Sequence, residues 1–244
     1  MKTEIRESVI SSKLTPNPGK KIVIEVEGLR YARLPIRTHV IKETDDILEI
    51  LRTYAAPLLA KNDYIFISER IVAITQGRAY PIKDIKPSRL ANFLSKFVTK
   101  TPHGIGIGSP WTMELAIREA GFLRIFLGVL AAALTKPLGI RGAFYRVCGK
   151  RVASIDGPCS YTLAPYNEYA KLGPKNPDAV AESIKDALGY ETVIIDANDL
   201  GVAVLGKSSS DILDDFAAAV FRDNPLGQSR EQTPIGIVRR MRNW

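Results

Sequence analysis

The sequence predicts an α+β protein in which helices pack against mixed β-sheets. Its 244 residues are 45% hydrophobic and 25% charged, the composition of an ordinary globular protein with a substantial core. Strand-like and helix-like segments interleave along the chain without a strict strand-helix-strand repeat or any longer internal repeat. These observations disfavour a barrel, a Rossmann domain or a solenoid, and they favour mixed sheets in two interleaved subdomains.

The spacing of apolar residues predicts the elements of the first part of the chain. The predicted elements are a strand over 22–26, a helix from about Asp45 capped by Thr44, a strand over 64–67 and a short helix over 69–76 closed by Gly77.

Three helices are predicted in the middle of the chain. The first begins at Pro87-Ser88, and Ser109 followed by Pro110 begins a second that runs to about Ala120. The longest apolar run, 125–134, predicts a third helix that is buried and stops at Pro137. The first helix has a predicted buried side made of Leu90, Phe93, Leu94, Phe97 and Val98.

The rest of the chain is predicted to contain more strands than helices. The predicted strands cover 144–148, 152–155, 192–195, 202–205 and 235–238, and the predicted helices cover 176–189 and 210–221.

Charge and cysteine content limit the classes of partner. The formal charge of +8 favours anionic partners such as nucleotides and phosphate esters. Two cysteines and two histidines make a four-ligand zinc site a poor hypothesis, and no histidine pairs with a serine or cysteine to suggest covalent catalysis. The chain shows no signal peptide and no run long enough to span a bilayer, so a cytoplasmic protein without a membrane partner is expected.

Two organisations of the chain are consistent with its composition. Residues 1–20, which end in Pro16-Asn17-Pro18-Gly19, are predicted to form an N-terminal arm, and residues 21–244 a single domain. In the alternative, that domain splits into one subdomain of 21–100 plus 207–244 and another of 101–206.

Two acidic residues follow apolar strands and are candidate metal ligands. Asp156 and Asp196 each come at the end of a strand-like run, where carboxylates at a sheet edge can hold Mg²⁺ or Mn²⁺. The alternative is that each Asp begins a turn or caps a helix.

Other segments are weaker candidates for phosphate or nucleic-acid contact. The glycines between Gly104 and Gly108 precede a helix but match no phosphate-binding motif, so a tight turn explains them equally well. The polar stretch 223–234 is either a binding loop or a solvated connector. The tail 239–244 is basic, but a solvated terminus is favoured over RNA binding. Candidate phosphate contacts, each with a solvated charge as its alternative, are Arg33, Arg37, His39, Arg70 and Arg78.

Taken in order, several segments resemble one family, the γ-glutamyl ligases of the deazaflavin coenzyme F-420. The resemblance covers about 34–238. The segments that carry it are Leu34-Pro-Ile-Arg-Thr38, the helix start at Asp45-Asp46, 63–78, Ser154-Ile-Asp156, Val193-Ile-Ile-Asp-Ala-Asn198 and Gly227-Gln-Ser-Arg-Glu-Gln-Thr-Pro234.

The resemblance implies an enzyme that uses GTP and Mg²⁺ or Mn²⁺, with K⁺ as a further candidate cation. It would join L-glutamate to the carboxylate of a phosphorylated acceptor through an acyl phosphate, and the family implies an intertwined homodimer. Asp156, Asp196 and Gln228 fall on metal positions, and the catalytic assignments are Asp156, Asp196 and Arg37. The implied nucleotide contacts are Leu34, Pro35, Ile36, Arg37, Glu69, Arg70, Gly227, Gln228, Ser229, Arg230, Glu231 and Gln232.

Three departures from the family pattern keep a second interpretation open. Ala197 stands where a hydroxyl residue is usual, Cys159 where Asn is expected, and Ile74 where Lys is expected. The chain is therefore either a divergent ligase with another acceptor or a catalytically silent phosphate-binding protein, with a basic RNA-binding protein as a third, less favoured hypothesis.

Overall fold

The computed structural model describes residues 15–98, 106–140, 142–198 and 201–241. Within these ranges it confirms an α+β protein that contains a mixed sheet. The strands are β1 (Val23–Val26), β2 (Leu29–Ile36), β3 (Tyr64–Ser68), β4 (Ala79–Pro81), β5 (Tyr169–Lys171), β6 (Glu191–Asn198), β7 (Gly201–Lys207) and β8 (Ile235–Arg240). The helices are α1 (Ile47–Tyr54), α2 (Glu69–Thr75), α3 (Arg89–Leu94), α4 (Pro110–Ala120), α5 (Phe122–Thr135), α6 (Ala143–Cys148), α7 (Lys150–Ala153), α8 (Pro177–Leu188) and α9 (Asp214–Phe221).

The chain divides into two compact units. Unit 1 consists of residues up to Thr75 and from Lys175 onward, and unit 2 consists of residues 76–174. The predicted boundaries at 100/101 and 206/207 and the intertwined dimer remain predictions. Most of the predicted arm over 1–20 lies outside the described residues.

Unit 1 is built on a six-stranded sheet of order β1-β2-β8-β3-β6-β7. Strands β3 and β6 pair in parallel, and every other neighbouring pair is antiparallel. Strands β1 and β2 form a hairpin whose two turn residues, Glu27 and Gly28, have φ angles of 51° and 74°. Two positive φ values in succession match the twist of a tight hairpin.

One face of the sheet carries an apolar core closed by α9. Phe66 of β3 stacks on Phe221 of α9 with ring centroids 4.4 Å apart. Such burial supplies the main driving force for folding. The cluster consists of Ile24, Val26, Tyr31, Phe66, Val193, Ile195, Ile212, Ala217, Val220, Phe221, Leu226 and Val238.

Unit 2 is mainly helical and contains the two-stranded antiparallel sheet of β4 and β5. The cap of α4 is confirmed: the Ser109 hydroxyl accepts from the Thr112 N–H at 3.2 Å, and Pro110 is the first helical residue. The core of unit 2 is formed by Ile85, Ala91, Ile107, Met113, Leu115, Ala116, Ile125, Cys148, Val152, Ile155, Ala170 and Leu172.

The predicted strands over 144–148 and 152–155 are wrong, because 144–148 lies in α6 and the second segment begins in α7, which ends at Ala153. Phe144 and Cys148 are four residues apart and share one helical face against Gly128 of α5. A Cβ at Gly128 would lie 2.5 Å from the Cys148 sulfur and 3.1 Å from the Phe144 ring. This close packing overrides the β-rich composition of the segment.

The sequence did not predict β2, β4 or β5. Pro35 argues against a continuous strand in this segment, because proline has no amide N–H to donate within a sheet. The amide of Arg33 donates to the Ile22 carbonyl oxygen at 2.7 Å, so alternate amides of β2, including the position of Pro35, face β1. The β1 pairing covers only residues 29–32 of β2, so Pro35 costs no bond within the sheet.

The predicted burial is wrong in part for one helix and wrong for most of another. In the first, Leu94 and Val98 pack against the core of unit 2 as predicted, but Phe93 and Phe97 are exposed, and Ala91 and Ser95 are the fully buried residues. The α-helix ends at Leu94 and a 3₁₀ turn follows, so the predicted spacing no longer applies. In α5 only Ile125 and Gly128 are buried, because α6 covers a narrow strip of this uniformly apolar helix.

Two predicted helix starts lie too early. Asp46 rather than Thr44 caps α1, accepting from the Leu48 and Glu49 amides at 2.8 and 3.0 Å. Helix α9 begins at Asp214 instead of residue 210. Among the described residues, no helix has both the length and the apolar character needed to cross a bilayer.

Candidate active site at one edge of the sheet

The ends of three neighbouring strands meet at one edge of the unit 1 sheet. Ile235, at the start of β8, pairs with Ile36 at the end of β2 and with Ile67 near the end of β3. The amide of Thr38 donates to the Gln232 carbonyl oxygen at 3.0 Å, and that of Ser68 to the Pro234 oxygen at 2.9 Å. Two segments implied as nucleotide contacts, 34–37 and 227–232, are therefore neighbours.

Two exposed guanidinium groups lie on these segments. Arg37 follows β2 directly, and Arg230 lies in the loop before β8; both are exposed. Within the part of the chain that the structure describes, neither forms an ion pair with an acidic side chain. An unpaired guanidinium can bind a phosphate through two parallel hydrogen bonds. The remaining implied contacts of this segment are buried in the sheet and pack within this edge: Leu34, Pro35 and Ile36.

The loop between α9 and β8 is held together by its own hydrogen bonds. The Asn224 side chain donates to the Gly227 carbonyl oxygen at 3.0 Å, and the Thr233 hydroxyl to that of Leu226 at 2.7 Å. Asn17 donates to the Thr233 hydroxyl at 2.7 Å. Such a loop holds a defined shape, as a binding loop requires.

The tip of the loop, 227–232, is ordered by one carboxylate. Glu231 accepts from the Ser229 amide at 2.7 Å and from the Ser229 hydroxyl at 3.0 Å. Gly227 has a φ of 78°, and a Cβ there would lie 2.5 Å from Glu231 Cδ. Gln228 and Ser229 are exposed, and Gln232 has a φ of 58°. Glu231 therefore stabilises the loop conformation.

Glu69 and Arg70 lie where β3 turns into α2, at the same edge. Glu69 is 3% exposed, and the Arg70 amide lies 3.4 Å from the Ser68 hydroxyl. Ile74, which replaces an expected lysine, is buried in α2. The position where the resemblance implies a lysine is thus part of the core.

Asp196 lies on β6 just past the point where β3 ends. The parallel pairing stops at Ser68 and Ile195, while β6 continues through Asn198 paired with β7. Asp196 is therefore a strand residue and does not begin a turn. Ala197 packs against the apolar cluster on the α9 side, which places it on the opposite face from its neighbours Asp196 and Asn198.

Asp156 lies in unit 2 and has a cationic neighbour that the sequence did not reveal. Its backbone pairs with that of Lys171, and the two side chains form an ion pair of 3.2 Å. The Lys171 side chain is 6% exposed, whereas that of Asp156 is 48% exposed. Lys171 lies at the end of β5, where its backbone pairs with that of Asp156. No local sequence motif predicts this contact. Cys159 accepts from Thr162 through its backbone at 3.0 Å.

Among the described residues, no group of three or more His, Cys, Asp or Glu side chains could hold a metal ion. A metal site at the sheet edge would draw on the carboxylate of Asp196, with amide oxygens from Asn198 and Gln228 as further donors, whereas Glu69 at the same edge is buried. Mg²⁺ commonly binds to one or two carboxylates, with waters and substrate phosphates completing its shell. This donor set fits a metal that arrives with a nucleotide.

Arg33 is a structural residue and not the phosphate contact that was a candidate. Its guanidinium forms a two-pronged ion pair with Asp223 and donates to the Val220 and Lys21 carbonyl oxygens at 2.9 and 2.5 Å. Arg33 is 1% exposed. Burial acts to raise the pKa of Asp223, but Arg33 more than compensates and lowers it below the ordinary value.

Two other candidate phosphate contacts, Arg78 and His39, are occupied by protein partners. Arg78 is buried, pairs with Glu119 at 3.0 Å and donates to the Gly173 carbonyl oxygen at 2.6 Å. Both nitrogens of His39 lie within hydrogen-bond distance of side chains, at 3.0 Å from the Tyr54 hydroxyl and 2.9 Å from an Asp45 oxygen. Both side chains are therefore engaged by other residues of the protein.

The basic C-terminal segment is partly structural. Arg239 is a residue of β8 and forms two hydrogen bonds to the buried Asp63 carboxylate, at 2.9 and 2.7 Å. The sequence suggested that Arg239 belongs to a solvated tail, and this prediction is wrong for that residue. Residues 242–244 lie outside the described residues. Gly104, the first glycine of the series, also lies outside the described residues. The Ser109 side chain after the series bonds to its own helix, which agrees with the tight-turn interpretation.

Comparison with protein-family models gives a match for part of the chain. Residues 35–147, just under half of the chain, match the family model of F420-0:Gamma-glutamyl ligase. No curated protein matches the chain. The matched segment includes Arg37, Glu69 and Arg70 but ends before Asp156, Asp196 and the 227–232 loop. Over residues 35–147 the chain is thus similar to the F420-0:Gamma-glutamyl ligase family, which confirms the resemblance predicted from its segments.

Proposed function

We propose that this protein is a nucleotide-dependent ligase that forms an amide bond between L-glutamate and the carboxylate of an anionic, phosphorylated acceptor, such as a precursor of coenzyme F-420. The observation that carries the proposal is the juxtaposition of the Arg37 segment with the 227–232 loop through the Thr38–Gln232 hydrogen bond. The guanidinium groups of Arg37 and Arg230, which have no acidic partner among the described residues, then flank one edge of the sheet.

This arrangement suits phosphoryl transfer better than covalent catalysis. The acceptor carboxylate attacks the terminal phosphorus of GTP, an acyl phosphate forms and GDP leaves. The amine of glutamate then attacks the acyl carbon, loses a proton and expels inorganic phosphate. Negative charge is concentrated on the phosphoryl oxygens, where guanidinium groups act most strongly.

Specific residues have separate roles in this proposal. Arg37 and Arg230 bind phosphate oxygens, and the loop held by Glu231 places Arg230. Asp196, Asn198 and Gln228 would hold Mg²⁺ or Mn²⁺, and a bound divalent ion would neutralise phosphate charge. A K⁺ ion is a further candidate for the same oxygen-rich edge.

The assay for the proposal is glutamate-dependent release of phosphate from GTP by the full chain, with the deazaflavin acceptor as co-substrate and ATP as a comparison. We expect Asp196→Asn to reduce turnover at least about a hundredfold, a loss typical for removal of one group that stabilises phosphoryl charge. The matched control is Asp186→Asn, an exposed acid on α8, which should retain activity. Equal turnover by wild type and Asp196→Asn would remove Asp196 from the mechanism.

A second candidate function is a silent nucleotide-binding protein of the same family. Two observations favour it: Ala197 packs into the apolar cluster where the family has a hydroxyl, and Lys171 is paired with the predicted metal ligand Asp156. Calorimetric titration with GTP separates the two candidates. Binding of GTP without glutamate-dependent phosphate release, over a panel of carboxylated acceptors, would support the silent protein.

A further inference from the structure

One long side of α5 in unit 2 is apolar and exposed. The exposed fractions remain high along the whole helix and past its end. They are 56% for Phe122, 68% for Leu123, 46% for Phe126, 48% for Leu127, 43% for Leu130, 72% for Leu134, 74% for Leu138 and 45% for Ile140. We call these eight exposed apolar residues the α5 face.

The face is continuous because its residues follow the helical repeat. Leu123, Leu127, Leu130 and Leu134 are spaced by four, three and four residues and form one stripe along the helix. The opposite side, with Ile125 and Gly128, packs in unit 2. Arg124, the single charged residue of α5, lies about 100° around the helix axis from Leu123. The stripe itself therefore carries no charge.

Such a face requires a covering partner. Single exposed apolar residues are normal on a soluble protein, but a contiguous stripe of large ones marks a surface that binds another molecule. Helix α5 has 14 residues, and at about 1.5 Å per residue it is about 21 Å long. This length is too short to cross a bilayer but sufficient to lie along its surface.

The charge around the face indicates what the partner is. From Arg118 to Arg151 the sequence has seven Lys or Arg residues and one acid, Glu119. That acid is already paired with Arg78 and Arg151. Exposed cationic residues flank the face, at Arg124, Lys136 and Arg146. Two copies meeting through this surface would bring like charges together, whereas an anionic lipid surface would pair with them.

We propose that the α5 face binds the surface of an anionic lipid bilayer, with the helix axis parallel to the membrane plane. The apolar stripe enters the interface between headgroups and acyl chains, as in peripheral proteins with an interfacial helix. Arg124, Lys136 and Arg146 remain at headgroup level and bind lipid phosphates. The proposal does not depend on the ligase reaction.

The test uses the full chain and sedimentation with two kinds of vesicle. One kind contains phosphatidylcholine with about 30% phosphatidylglycerol, and the other contains phosphatidylcholine alone. We expect binding to the anionic vesicles, at least about tenfold weaker binding to the neutral ones, and a loss of binding in about 0.5 M NaCl, because each cation near an anionic surface contributes about fivefold to the partition coefficient.

Matched variants separate the apolar and the charged contributions. Leu127→Ser/Leu130→Ser should lower partitioning at least about tenfold, whereas Leu213→Ser removes an exposed leucine of unit 1 and should have no effect. Lys136→Glu should lower binding at least about fivefold, and Lys83→Glu, an exposed lysine elsewhere in unit 2, should change it little. Leu130→Trp keeps the face apolar and reports insertion through a blue shift of the added fluorescence.

Two outcomes would overturn the proposal. In the first, neither vesicle binds, and light scattering finds a dimer that Leu127→Ser/Leu130→Ser converts to a monomer; a second copy then covers the face. In the second, the Leu130→Trp emission does not shift with anionic vesicles although the protein is folded.

Discussion

The amide of Thr38 donates to the Gln232 carbonyl oxygen over 3.0 Å, and this bond joins two segments that lie 194 residues apart in the sequence. It extends the β2–β8 pairing beyond the last residue of β2 and the first residue of β8. Arg37 and Arg230 thereby belong to one edge of the sheet, and their side chains are available to an anionic ligand. The relationship makes the phosphate hypothesis open to direct measurement.

We expect Arg37→Ala and Arg230→Ala each to weaken GTP binding about tenfold, because each removes charge-assisted hydrogen bonds to phosphate. The measurement is calorimetric titration. Arg30→Ala is the matched control, since Arg30 is an exposed arginine on the other end of β2. An equal loss in all three variants would show that net charge, and not this edge, determines affinity.

Gly227 and Gly139 separate the effect of backbone strain from the effect of a steric clash with a neighbouring side chain. Both have a positive φ, of 78° and 75°, but a Cβ at Gly227 meets Glu231 whereas one at Gly139 meets nothing within 4 Å. Alanine should cost about 1 kcal/mol of stability at either position. Only Gly227→Ala should displace Glu231 from Ser229, which speeds hydrogen exchange of the Ser229 amide and weakens GTP binding. Similar exchange rates in both variants would contradict the ordering role of Glu231.

The ion pair between Arg33 and Asp223 should contribute strongly to stability. Asp223→Ala leaves a buried guanidinium without its counter-charge, and we expect the free energy of unfolding to fall by about 2–3 kcal/mol, somewhat less than for a wholly buried pair. Arg33→Met/Asp223→Ala should recover part of this loss. Glu49→Ala, which breaks an exposed pair with Arg52, should cost below about 0.5 kcal/mol. Urea denaturation measures all three.

The same pair predicts an acid dependence with a defined sign. The folded pKa of Asp223 lies below its ordinary value of 3.8, so the unfolded chain binds the proton first as the pH falls. The stabilisation is complete above the ordinary pKa and is lost as the pH falls through the folded pKa. Urea midpoints should therefore decline less steeply below about pH 4 in Asp223→Asn than in the wild type. Parallel declines would show that other carboxyl groups account for the acid sensitivity.

The sequence was sufficient where local chemistry determines structure. Ser109-Pro110 predicted the start of α4, and the β-rich run before Glu69 predicted β3 and α2. The sequence was insufficient where residues far apart in the chain determine the environment of a side chain. The partner of Arg33 lies 190 residues away, so Arg33 read as a surface charge. Whether an apolar helix is buried depends on the elements that pack against it. The elements that pack against α5 bury only Ile125 and Gly128.

Gly206 links the packing of unit 1 to the candidate site. A Cβ there would lie 2.3 Å from the Pro177 carbonyl carbon and 2.6 Å from the Asp178 nitrogen. Both are backbone atoms at the start of α8, which cannot yield as a flexible side chain does. Gly206 pairs with Ile194, two residues before Asp196, so a displaced β7 would move the strand that carries this carboxylate.

We therefore expect Gly206→Ala to destabilise the protein by about 2–3 kcal/mol, the range of a severe overpacking change, and to weaken metal-dependent GTP binding at a temperature where the chain is still folded. Ala203→Ser, an exposed change on the same strand, serves as the control for both measurements. Normal GTP affinity in folded Gly206→Ala would mean that β7 does not set the position of Asp196, and the candidate site would then depend on β2, β3 and β8 alone.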